Sequence, residues 1–409
     1  GFDVVDKQDA SKGPFKAEVV EYDTESSTQF YRITLPTPLG PSSKQTLSIT
    51  YSIVSAVQPL PSQIEQTAQQ FIQHTFNAYL NSAYPTLKQK TKLKLPTTNI
   101  PDYTILPSPN ADGAQDPTRQ GSTFTYGPYA SLPAGSLEPV SVRYEFTKPL
   151  LHASLMERDI EISHWGGNLA TEERYWLSNR AAGLKNHFNR VAWQMTAYSN
   201  PPTTAMKELR VPLQAGTINP YFTDDIGNVS TSRFRAGDGG KQGALLEIKP
   251  RYPLFGGWKY SFRIGWDNDL KKFLRKLKTG DGYVMQVPFL EGPRMGEGIE
   301  FERVQVRVIM PEGATNVRFE TTAPLVASSI DTYRSFMDTI GRRALKLSAL
   351  NANDEWNSHT VTVTYDYAWT AGYRKPLIIT MSFMALFVGA WVVGNMDVSI
   401  GVKKGKKVQ

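Results

Sequence analysis

The chain has 409 residues, of which 40% are apolar and 20% charged, with 8 Trp, 19 Tyr and 19 Phe. This composition supplies large folded cores and excludes a disordered chain. Cysteine is absent, which removes disulfides, thiol catalysis and cysteine-held zinc together. The net charge is +7, but Lys403, Lys404, Lys406 and Lys407 contribute four of those charges at the C-terminal end. Without zinc-finger spacing or an RNP-like aromatic motif, that balance predicts no nucleic-acid partner.

Strand-like alternation dominates the chain. The stretches TLSITYSIV (46–54), VSVRYEF (140–146), RDIEISHW (158–165), WKYSFRIGW (258–266), FERVQVRVIM (301–310) and TVTVTYDY (360–367) are rich in β-branched and aromatic residues. Between them, Ile64, Ala68, Phe71, Ile72, Phe76, Tyr79 and Leu80 fit one helix face, while FIQHTFNAYL also reads as a strand. Residues 106–139, rich in Pro, Gly, Ser and Asp, read as a long loop. In NDLKKFLRKLKTG (268–280), Leu270, Phe273, Leu274 and Leu277 fall at helical spacing among five basic residues. That pattern fits a solvated helix face first, and contact with acidic lipid or a diphosphate second.

From Pro376 to Met396 the chain reads PLIITMSFMALFVGAWVVGNM, with no charged residue. A helix of about 20 apolar residues crosses a bilayer core. A buried core helix has similar composition, but here a basic tail follows, so the span is read as transmembrane. Trp391 is placed near one interface. The tail lysines favour a cytosolic C-terminus over the flank that carries Arg374 and Lys375. Residues 1 to about 375 are then lumenal or extracellular in this type I arrangement. The single N-x-[ST] tripeptide, Asn228-Val229-Ser230, falls on the side where it can be glycosylated. Lys406 and Lys407 lie four and three places from the end, the spacing of a dilysine retrieval signal to the endoplasmic reticulum. A stop-transfer or lipid-facing cluster explains them equally well.

An internal repeat organises the strands. Pro38-Leu39-Gly40 and Pro253-Leu254-Phe255-Gly256 each precede a strand. From Pro38 to Pro96 is 58 residues, and so is Pro253 to Pro311. Closing strands follow at Val140 and Val361. The expected fold class is therefore mainly β: two tandem β-sandwich-like lumenal domains, then a single C-terminal transmembrane helix. The expected boundaries are 1–150, 151–372, a span at 376–396 and a basic cytosolic tail at 397–409. The second unit begins near Arg158, farther ahead of its landmark than Gly1 is ahead of Pro38. On that spacing roughly 60 residues of opening strands are expected before Gly1.

Catalytic constellations are sparse. His74, His152, His164, His187 and His359 form no close pair of the zinc-hydrolase kind. No G-x-S-x-G elbow occurs. AGDGGKQG (236–243) lacks the phosphate-loop lysine pattern and reads as a turn. Glu172-Glu173 and Asp224-Asp225 are adjacent acids, and neighbours on a strand point to opposite faces, which disfavours joint action. No catalytic residue, metal site or cofactor is expected.

Three blocks are distinctive: SHWGGNLATEERYWL (163–177), YFTDDIGNVSTS (221–232) and RYPLFGGWKYSFRIGW (251–266). With VIMPEGATNV (308–317) and the terminal span, they resemble the ribophorin I family across nearly the whole chain. The resemblance implies an accessory, non-catalytic subunit of the oligosaccharyltransferase complex in the endoplasmic reticulum membrane. That complex moves an oligosaccharide from dolichyl diphosphate to asparagine in N-x-[ST]. The expected partners are a catalytic multispanning subunit, the other subunits and the nascent polypeptide. The short tail after Met396 resembles the fungal form. The alternative is a type I receptor or cargo adaptor of the secretory pathway.

Overall fold

The structure is a computed structural model that describes residues 2–8, 15–20, 29–107, 115–237, 243–278, 280–336 and 338–396. It is mainly β, with two α-helices among the described residues, α1 (Arg190–Ser199) and α2 (Arg374–Asn395).

Side-chain alternation explains why these strands form and which face each buries. In Leu151–Ser163, Met156, Arg158, Ile160 and Ile162 turn inward; in Asn168–Asn179, Leu169, Thr171, Glu173, Tyr175 and Leu177 do. These two antiparallel strands lie at the middle of an eight-stranded sheet, which also takes in Lys259–Asp269 on one side and Ile299–Ile309 and Arg342–Asn353 on the other. Leu151–Ser163 pairs parallel with Ile299–Ile309, across a long connection.

Two four-stranded sheets share one strand order. Val57–Pro59, Phe71–Asn77, Asp102–Tyr103 and Pro139–Glu145 are arranged as first, second, fourth and third by chain position. Leu274–Lys276, Gly282–Pro288, Thr315–Thr321 and Thr360–Asp366 are arranged identically. The correspondence continues outside them. Thr118–Gln120, Thr123–Leu132 and Thr86–Lys94 are ordered as are Ala327–Tyr333, Arg342–Asn353 and Ile299–Ile309. Buried apolar side chains fall into two groups, one from residues 72–144 around Ile72, Phe124 and Val142, the other from 151–367 around Met156, Ile264, Phe301 and Val363.

One open reading is settled and two expectations are corrected. Phe71–Asn77 is a strand, paired along its length with Pro139–Glu145; Ile72 is its deeply buried anchor, and period two wins over the helical spacing. Residues 106–139 contain the ten-residue strand Thr123–Leu132. Its Gly127 and Pro128 sit where the register with Thr86–Lys94 shifts, and Gly127 has φ +81°. A bulge accommodates both residues inside a strand. The 268–280 segment is not one helix. Asp269 accepts the Lys271 N–H and starts a single 3₁₀ turn, Leu270–Lys272; Leu274–Lys276 then joins a sheet edge beside Tyr283–Met285. Glu172 and Glu173 lie within the strand Asn168–Asn179.

Candidate functional site

The sequon sits on a tight hairpin. Ile218–Asp224 turns through Asp225 and Ile226 into Gly227–Asn228, with Thr223 opposite Asn228. Asp224 makes the turn: its carboxylate accepts the N–H groups of Ile226 (3.0 Å) and Gly227 (3.1 Å) and Arg251 Nε (2.6 Å). Burial pushes the Asp224 carboxyl up, but Arg251 and the two N–H groups outweigh it and hold it below its ordinary value. Arg251 also donates to the Asn228 carbonyl at 2.9 Å. Val229 is buried and its N–H donates to the Phe222 carbonyl. Asn228 and Ser230 are exposed. The backbone is thus pinned on both sides of a side chain that faces solvent. Asp224 is a turn-former, while Asp225 is exposed at the tip.

Glu172 and Glu173 part as strand geometry requires. Glu172 takes Tyr221 (2.5 Å) and Arg174 on the outer face. Glu173 is fully buried opposite Arg158 and ion-paired with it. Tyr175 donates to Glu173 (2.6 Å), and the second Arg158 nitrogen reaches Glu291 (2.7 Å). Burial drives Glu291 above the ordinary carboxylate range, the Glu173 charge adds to this, and Arg158 opposes both. This cluster is closed to solvent and structural. Its signal was in the sequence: Arg158 occupies the same phase as Met156, Ile160 and Ile162.

A cleft of about 1000 Å³ lies between Ser52–Pro59 on one side and Arg294–Glu300 and Asn353–Asn357 on the other. Ser55 donates its N–H (2.7 Å) and hydroxyl (3.2 Å) to Glu300. Arg180 donates to Ser55 Oγ and to His152 Nε2, each at 2.7 Å. His152 is buried beside Glu300 and Glu302. Burial pushes Glu300 up, and His152 with the Ser55 groups more than reverses it. Nearby, the buried Gln70 side chain donates to the Phe146 carbonyl and accepts from the Ala182 N–H, both at 2.7 Å. This joint is built from long-range polar contacts that no local pattern announces.

The remaining histidines stand apart. His74 bonds the Ala56 carbonyl and stacks on Phe76. His164 packs among Tyr283, Tyr365 and Tyr367, where burial lowers its pKa. His187 is exposed, and His359 meets Thr322. Among the described residues no group of three or more His, Asp or Glu could hold a metal ion.

The apolar helix α2 starts two residues before the expected span; with its 3₁₀ lead-in it forms the stretch Trp369–Asn395, whose most apolar 18 residues have mean hydropathy 2.2, none of them buried. Its polar side chains turn inward on the backbone: Thr380 to Pro376 O, Ser382 to Ile378 O and Asn395 to Trp391 O. Such back-bonding satisfies a hydroxyl or amide where water is lacking. Trp369 and Tyr373, both exposed just before and at its start, form an aromatic pair with ring centroids 5.8 Å apart. Trp391, the aromatic expected at an interface, lies near the other end of α2. Lys406, Lys407 and most of 236–243 lie outside the described residues.

Fold and sites together define a β-rich protein attached to one exposed apolar helix, with an exposed sequon. Residues 2–394 match the family described as Ribophorin I. The chain belongs to the ribophorin I family. It is 32% identical over 365 residues to dolichyl-diphosphooligosaccharide–protein glycosyltransferase subunit 1 of Schizosaccharomyces pombe, covering 89% of this chain and 79% of the relative. It is 31% identical over 407 residues to the subunit 1 of Caenorhabditis elegans, covering 98% of this chain but 65% of that protein. Subunit 1B of Oryza sativa subsp. japonica is 31% identical over 381 residues, with 92% and 76% covered.

Proposed function

We propose that this chain is a non-catalytic subunit of the oligosaccharyltransferase complex, which transfers a preassembled oligosaccharide from dolichyl diphosphate to asparagine in N-x-Ser/Thr of nascent proteins. The observation that carries this reading is the family match along residues 2–394, together with relatives named as subunit 1 of that glycosyltransferase. The role is positional. A platform beside a membrane-borne donor raises the effective concentration of a flexible acceptor without contributing a reacting group. Its partners in this reading are the catalytic multispanning subunit, the other subunits and the nascent chain. Depleting the chain lowers glycosylation of a subset of sequons, while the purified chain transfers nothing; transferase activity from the chain alone would sink the proposal. Co-purification with a multispanning glycosyltransferase in mild detergent is expected. A chain that never brings one down is instead a receptor or cargo adaptor.

Residues 1–150 and 151–372 are read as two related domains, supported by the shared strand order and the two separate buried groups. The chain is a type I protein of the endoplasmic reticulum, with α2 crossing the membrane and both β domains lumenal. Lys406 and Lys407 return it there. Asn228 carries a glycan, a reading supported by its exposure on a pinned turn. Deglycosylation increases gel mobility in the wild type and leaves Asn228→Gln unchanged. An identical shift in both would refute occupancy at Asn228.

A further inference from the structure

Turns from the eight-stranded and four-stranded sheets of the second unit converge on the end from which α2 leaves. In the eight-stranded sheet, Ser163 lies opposite Asn168, Asn168 opposite Asp269, and Ile309 opposite Ala344. The turns at 164–167, 270–273 and 334–341 therefore close one end. In the four-stranded sheet, Gly282 lies opposite Asp366, so the turn before Gly282 closes the end where the chain passes into α2. Contacts join these ends. His164 bonds the Tyr365 hydroxyl at 2.8 Å, the Tyr367 N–H donates to Asp281 O at 2.9 Å, and Lys375 pairs with Asp338 at 2.9 Å. The 3₁₀ turn Trp369–Tyr373 runs straight into α2 with no linker.

Large apolar side chains stand out at these turns. Trp165 is 79% exposed, Phe336 90%, Trp369 73%, and Leu277 and Tyr373 are exposed with them. The basic residues Lys271, Lys272, Arg275, Lys276 and Lys278 are exposed among them. Two acids, Asp269 and Asp281, are also exposed there, whereas Asp338 is taken up by Lys375 and Arg342, and Glu312 by the Thr339 and Ile340 N–H groups. Positive charge thus exceeds free negative charge on this end. Aromatic rings with basic neighbours are the side chains that a bilayer interface favours, the rings at headgroup depth and the cations on phosphate.

We propose that this end is a membrane-docking face: Trp165 and Phe336 enter the interfacial layer, and the 271–278 cations meet the lipid phosphates of the bilayer that α2 crosses. The second unit then rests on the membrane rather than swinging from a tether. The proposal relies on the transmembrane reading of α2, so its test separates the two.

A chain without cysteine permits single-cysteine labelling. Trp165→Cys, Phe336→Cys, Leu386→Cys in α2 and Ile226→Cys each take an environment-sensitive fluorophore, in nanodiscs of phosphatidylcholine containing a nitroxide lipid labelled either at the headgroup or deep in the acyl chain. Ile226 tips the sequon turn at the other end of the sheet, where Asp224 lies opposite Phe262 rather than Asp269. Labels at 165, 336 and 386 are expected to shift to the blue and to be quenched, and the label at 226 to stay dark to the quencher. Phosphatidylserine deepens quenching at 165, and Lys271→Gln with Lys272→Gln and Lys278→Gln removes that increment. If 165 and 336 behave like 226 while 386 is quenched, the docking face is wrong and the span stands. If 386 escapes quenching as well, the span itself fails and takes the docking face with it.

Discussion

The two four-stranded sheets follow one plan, but their surroundings differ. In the second unit, Ile299–Ile309 has neighbours on both edges, and the sheet grows to eight strands around Leu151–Ser163. In the first, the corresponding strand Thr86–Lys94 pairs with Thr123–Leu132 alone among the described residues. Its sequence, TLKQKTKLK, carries four lysines, all exposed. Charges of this kind protect an edge strand from pairing indiscriminately. The inner polar anchors differ too. The second unit buries the Arg158, Glu173 and Glu291 charges, whereas the first buries Asp116 against the Tyr129 hydroxyl and the Gly127 N–H (3.0 Å). Strand order is therefore the repeated property, and the side chains that lock it were chosen separately in each unit.

Removing the two anchors measures that contrast. Arg158→Ala leaves two carboxylates buried without their counter-charge, and losing one partner of a buried ion pair costs about 3–5 kcal/mol. Asp116→Ala strips a buried hydroxyl and a backbone N–H of their acceptor, at about 1–3 kcal/mol. Denaturant unfolding of the detergent-solubilised chain, followed by proteolysis of each half, is expected to show the larger loss in the second unit and little crossover. Equal losses, or a collapse of both units from either change, would break the picture of separately locked units.

Much of this comparison was legible in the sequence. The six alternating stretches contain strands, and the closing strands that start near Val140 and Val361 hold the same place in the two four-stranded sheets. Local pattern and tertiary pairing disagree at three places. Phe71–Asn77 has helical spacing, but the facing strand Pro139–Glu145 supplies a ladder for all seven residues. Gly127 and Pro128 made a strand resemble a loop because a bulge absorbs them. The KKFLRKLK segment followed a sheet edge instead of its own apolar period. Of the candidate sites, the Asn228 tripeptide was legible in the sequence, and the structure adds its exposure. The 165, 336 and 369 aromatics were not, because only the fold brings three distant turns to one end.

The smallest effect concerns the joint where the units meet. Ser55 from the first donates to Glu300 from the second, and Glu300 lies beside His152. The folded-state pKa of Glu300 is depressed below its ordinary 4.5. The contact therefore contributes fully above the unfolded value, and the contribution is lost as pH falls through the lower folded value. Hydrogen exchange at the Ser55 amide reads this directly, since that N–H is the donor. Exchange, corrected for intrinsic rates, is expected to hold steady at neutral pH and to accelerate only once the pH has fallen below the ordinary carboxylate value and the carboxylate protonates. Glu300→Gln should raise exchange at pH 7 and flatten the acid response, while leaving the unfolding of each unit within about 0.5 kcal/mol, as for a change away from either core. A Ser55 amide indifferent to both pH and Glu300→Gln would mean that the units are held by Gln70 and the short pairing of Gln63–Ile64 with Gly183–Leu184 instead.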